Sequence, residues 1–175
     1  MKAYAINSKG TNYGGVATIS TLAANPTFTG VYSQNFSGLT NFGGIPAGWR
    51  ALSSSNQNNF VGSWTNTNAS TGGFYSRTNA PGILGYLHTG STGTLTNKLT
   101  LVNGTSGALT NLYVSYTGEV ALTGNTRLPA FTVQVNGVDV PGLAYDTAGG
   151  TNAVISTQLT GLNIATNDTI VITWS

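Results

Sequence analysis

The feature that most restricts this chain is a two-residue rhythm that recurs through its second half. Leu95, Leu99 and Leu101 alternate with Thr96, Lys98 and Thr100, and Leu112, Val114 and Tyr116 are spaced the same way. Phe131, Val133 and Val135 alternate with Thr132 and Gln134; Ile170, Ile172 and Trp174 alternate with Thr169, Val171 and Thr173. Successive side chains of a strand point to opposite faces, so each run describes a strand with one face buried. The pattern therefore assigns Ile170, Ile172 and Trp174 to the interior. Asn136-Gly137 separates the third run from Val138. A two-residue hairpin turn needs positive φ at both positions, which Asn and Gly tolerate best.

The first half reads less sharply but in the same sense. Residues 31–36, 49–52, 59–64, 73–76 and 83–87 are short apolar or aromatic pieces set between Asn, Ser, Thr and Gly loops, and residues 154–159 form another late strand. Nine or ten strands at such intervals predict an all-β chain, an antiparallel β-sandwich or jelly roll. Asn, Ser, Thr and Gly supply 86 of the 175 residues, and only 6% are charged. An ordinary soluble domain carries roughly 25% charge. Disorder pairs high charge with low hydrophobicity; here 39% of residues are hydrophobic, which favours a packed fold. Residues 1–27 stand apart as an N-terminal arm or anchor that closes on Asn25-Pro26, with the sandwich domain spanning 28–175. Val16, Ile19, Leu22 and Ala23 fit either a short helix or an extended arm.

Charge and cysteine content narrow the function. The six basic residues, Lys2, Lys9, Arg50, Arg77, Lys98 and Arg127, are scattered, whereas nucleic-acid surfaces cluster theirs. No nucleic-acid partner is expected. The chain has no cysteine, so thiolate nucleophiles, disulfides and cysteine zinc sites are excluded. No apolar run approaches the roughly 20 residues of a membrane helix. Residues 16–24 are apolar but interrupted by Thr18, Ser20 and Thr21, which argues against a secretory signal.

Several stretches in order carry a resemblance. They are Tyr32-Ser33-Gln34-Asn35-Phe36-Ser37-Gly38-Leu39, Ile45-Pro46-Ala47-Gly48-Trp49 and Thr71-Gly72-Gly73-Phe74-Tyr75-Ser76. Further on come Leu112-Tyr113-Val114-Ser115-Tyr116-Thr117-Gly118-Glu119 and the closing segment from Leu162 to Trp174. Together they resemble a bacterial secreted β-sandwich module found on cell-surface proteins and beside extracellular nuclease or lamin-tail-type domains. The resemblance implies an accessory or adhesive role with no catalytic site. One departure stands out: Val120-Ala121-Leu122 follow Glu119 where that module has Gln-Trp-Arg, so a ligand role built on that Trp is not carried over.

The reactive inventory is short. His88 is the only histidine, and Glu119, Asp139, Asp146 and Asp168 are the only acids. A triad or a pair of catalytic carboxylates has few groups to draw on, and the expectation is a non-enzyme. Asp146 and Asp168 are the candidates for calcium, but a third carboxylate is missing; no metal or cofactor is assigned. Trp64, Tyr75, Arg77 and Tyr86 lie in or near polar loops, and flat rings beside a guanidinium suit glycan binding. Two functions follow. The first is a structural protein on a virion surface, such as a capsid decoration, cement or tail protein, anchored by its arm to copies of itself or to other capsid proteins. The second is a carbohydrate-binding or adhesive module of a secreted bacterial protein. Either places the chain on a virion surface or outside the cell.

Overall fold

The computed structural model describes residues 4–7, 10–13, 23–39, 44–54, 60–63, 71–76, 82–119, 130–146 and 152–175. These residues are all-β, with no α-helix among them. In chain order the strands begin with β1 (Tyr4–Asn7), β2 (Gly10–Tyr13), β3 (Thr27–Phe28), β4 (Trp49–Ser53) and β5 (Phe60–Ser63). Next come β6 (Gly73–Ser76), β7 (Leu84–Leu87), β8 (Leu95–Asn103), β9 (Leu109–Gly118) and β10 (Ala130–Phe131). The last are β11 (Val133–Val135), β12 (Val138–Asp139), β13 (Tyr145–Asp146), β14 (Ala153–Ile164) and β15 (Thr169–Trp174).

β8 organises the larger sheet. It is buried at every second residue along its whole length, as its alternation demands. β15 runs antiparallel along one side, from Val102 opposite Thr169 to Asn97 opposite Trp174. On the other side β4 pairs antiparallel with residues 95–99, and β3 pairs parallel with Val102 and Asn103. Beyond β15 lie β11 and then β12. The β11–β12 turn is Asn136-Gly137, with φ of 49° and 80°, as the sequence requires.

A long antiparallel pair, β9 and β14, forms the facing layer, in register from Gly118 opposite Ala153 to Leu109 opposite Ile164 with a shift between Thr160 and Ile164. Leu99 and Leu101 of β8, Val133 and Val135 of β11, and Ile170, Ile172 and Trp174 of β15 meet Leu112, Val114 and Ile164 in one core. Removing such side chains from water is the main stabilising term, about 1.5–3 kcal/mol for each large one. A second cluster, Ala51, Phe74 and Leu95 with Ile45 and Tyr86 against it, joins the β5–β6–β7 sheet to the 95 end of β8. The two packed layers make the chain a β-sandwich.

Two inward positions of β8 are polar, Asn97 and Asn103. Asn103 is wholly buried, and its Nδ2 lies 2.9 Å from the Ile164 carbonyl, 3.1 Å from Ala165 and 3.2 Å from Gly107. Its Oδ1 accepts from the Thr105 N–H at 3.0 Å and the Thr105 hydroxyl at 2.7 Å. Buried amides are tolerated when satisfied in this way. This side chain ties the 104–107 turn to the end of β14.

Three expectations need revision. Residues 31–36 keep the strand rhythm, with Tyr32, Gln34 and Phe36 turned inward, yet they belong to no sheet. The run 131–135 is divided at Thr132: β10 pairs with β13 while β11 pairs with β15. The N-terminal segment contains the β1–β2 hairpin, Tyr4 opposite Tyr13 through Asn7 opposite Gly10. The helix considered around Val16 and Ile19 falls outside the described residues.

Candidate interaction cleft

A cleft of about 440 Å³ opens between the two layers. Its floor is the inner face of the larger sheet, where Trp49 of β4 and Trp174 of β15 stack at 5.3 Å between centroids, with planes 22° apart. Phe36 meets Trp49 edge-on at 4.8 Å, and Tyr116 meets Trp174 edge-on at 5.9 Å. The Trp49 indole N–H donates to the Tyr32 hydroxyl at 2.7 Å. Burial pushes that hydroxyl above the ordinary tyrosine range, and the Trp49 bond partly offsets it. Aromatic pairs of this geometry hold one another rigidly.

One wall is β9. Residues 112–117 all border the cleft, both the inward Leu112, Val114 and Tyr116 and the outward Tyr113, Ser115 and Thr117. A strand that contributes both sets presents its edge, the line of main-chain N–H and C=O groups. Among the described residues β9 pairs with β14 alone, so that edge has no ladder partner there. Gln34, Asn35 and Phe36, with Gly82, Ile83 and Leu84, form the opposite wall, and Glu119 stands at the end beyond β9. The cleft is thus mainly apolar, with one charged side chain among its described lining residues.

The residues expected to bind glycan do not assemble here. Tyr75 is 5% exposed on a strand buried at all four positions, and its hydroxyl donates to the Thr71 carbonyl of the adjoining loop. Its ring offers no open face. Tyr86, opposite Phe74 in the β6–β7 ladder, has its ring edge-on to Phe74 at 6.2 Å and to Phe131 at 5.1 Å. Its hydroxyl is buried without a hydrogen-bond partner; burial, and secondarily Tyr116, pushes its ionisation far up. Trp64 and Arg77 lie outside the described residues. Tyr32, Phe36 and Trp49 were not singled out as site residues, and only the aromatic spacing of 32, 36 and 49 hinted at them.

The ionisable groups lie apart. His88 is exposed after β7, and Asp146 and Asp168 are exposed. Asp139 accepts from the Gln134 amide at 2.9 Å. Among the described residues, no three of His, Asp and Glu gather in one place, and no helix is long and apolar enough to cross a membrane.

No family model matches the chain, and no curated protein and no solved structure matches it either. The likeness to secreted bacterial sandwich modules rests on its sequence motifs alone.

Proposed function

We propose that this chain is a non-catalytic structural protein that works within an assembly, as a capsid decoration, cement or tail protein on a virion surface would. The observation that carries the reading is the outer face of the β9–β14 pair. Thr110, Asn111, Tyr113, Ser115 and Thr117 face outward on one strand, and Val154, Ser156, Gln158, Thr160 and Asn163 on the other. None is charged, and Tyr113 and Val154 are 67% and 74% exposed. Long strands that face water normally carry charge, above all lysine, against edge-to-edge association. A neutral face bearing an exposed Tyr and Val suits burial against a neighbour. Partners are copies of itself or other shell proteins. The inward set of Tyr75 and Tyr86 lends less support to glycan binding.

Sedimentation velocity over a range of concentrations tests the reading. The intact chain should self-associate, and Tyr113→Glu combined with Val154→Glu should shift it to monomer while circular dichroism stays unchanged. A parent chain that is monomeric at every concentration overturns the assembly role.

A further inference from the structure

We infer that the cleft beside β9 receives the N-terminal strand of a second copy, which adds to the β9 edge as a further strand; this rests on the assembly reading above. Both walls carry main chain that has no ladder partner among the described residues. There β9 pairs only with β14, and residues 31–36, despite their strand rhythm, join no sheet. An opening bounded by unpaired main chain on both sides is matched by another extended chain, whose N–H and C=O groups satisfy both. It also lies where, among the described residues, two strands face a sheet several strands wide.

The chain carries a strand of suitable chemistry. Among the described residues β1 (Tyr4–Asn7) pairs only with β2, which leaves its second edge open there. Four residues span roughly 13 Å, within the roughly 20 Å of the six β9 residues that line the cleft. Tyr-Ala-Ile-Asn is uncharged, like the cleft walls, and Lys2 stands two residues ahead of it in the sequence. Antiparallel addition to β9 brings that end of the strand toward Glu119, which lines the cleft. β2 then lies next to residues 31–36, which have no ladder to give up. The result is a continuous layer in the order β14, β9, β1 and β2 of the partner copy, then residues 31–36.

The absence of cysteine makes the test direct. Ala5→Cys or Ile6→Cys in one full-length preparation is mixed with Tyr113→Cys or Ser115→Cys in another, then oxidised mildly and run without reductant. The expected result is a disulfide-linked heterodimer for at least one pairing. Disulfides only between two Ser115→Cys chains mean direct β9–β9 pairing and overturn the inference. So does a link formed only within one chain in the double-cysteine protein at high dilution. Self-association that is intact but gives no cross-link overturns the inference and spares the assembly reading; a protein that never self-associates overturns both.

Discussion

Replacing Asn103 with Asp should destabilise the fold in a pH-dependent way. The substitution keeps shape and volume but puts a carboxylate oxygen where Nδ2 lies 2.9–3.2 Å from three carbonyl oxygens. An amide NH2 has two hydrogens, so those contacts amount to two full hydrogen bonds with one shared. With the two that Thr105 donates to Oδ1, four bonds depend on the side chain. At about 1 kcal/mol each, discounted because the 104–107 turn can reach water, Asn103→Ala should cost about 3 kcal/mol. In Asn103→Asp the accepting bonds survive, but the donor is lost and the charge is buried among like dipoles. Its folded pKa must therefore rise above the ordinary value near 3.9. A raised folded pKa means stability is retained below the unfolded pKa and lost as pH climbs through the folded value. Each unit of rise costs about 1.4 kcal/mol at neutral pH. Urea denaturation of parent and both variants at neutral pH and near pH 4 measures this. The Asn103→Asp deficit should shrink on acidification, while that of Asn103→Ala should not. An Asn103→Asp midpoint equal to the parent at neutral pH, or a deficit indifferent to pH, would refute the reasoning.

Ile170 has no exposed surface, so Ile170→Ala should cost about 2–5 kcal/mol, seen as a lower urea midpoint with an unchanged slope. Gly48 has φ of 81°, and an added Cβ would lie 2.6 Å from both the Pro26 Cδ and the Thr100 carbonyl oxygen. Gly48→Ala should cost more than the roughly 1–2 kcal/mol of left-handed strain alone, and a thermal midpoint equal to the parent would contradict that packing. Burial, and after it Tyr145, pushes the Tyr116 hydroxyl up to about 12. Because the folded value exceeds the unfolded 10.0, its contribution is intact below pH 10 and disappears as pH rises toward 12. Tyrosinate absorbance should show Tyr116→Phe removing a late-titrating group and lessening the loss of stability in that range.

Much of the architecture was legible because alternation reports which face of a strand is buried. β8, β9 and β15 follow it residue by residue, and Asn136-Gly137 marked its hairpin. Alternation says nothing about partners, however. Residues 31–36 have the rhythm of a strand and no ladder, and nothing in the run 131–135 revealed that Thr132 divides two pairings. Tyr75 stands next to a polar loop in the sequence, and because its strand is covered on both faces, alternation gives no sign of which way it points. The cleft brings together residues near 34, 49, 83, 115 and 174, a convergence set by sheet order. Asn97 and Asn103 occupy inward positions of β8; a polar residue in such a rhythm signals an internal hydrogen-bond network, which Asn103 makes in full, whereas the Asn97 Oδ1 is buried without a partner.

The pairing of β8 with β15 has a consequence for biogenesis. The centre of the larger sheet is completed by residues 169–174, some seventy positions beyond its other half. A chain emerging from the ribosome must hold Leu99 and Leu101 without that neighbour until residues 169–174 have been made. Such long-range closure slows folding and prolongs the exposure of sticky intermediates. The nascent polypeptide is thus most vulnerable between the emergence of β8 and that of β15, when a chaperone that shields β8 would raise the yield most.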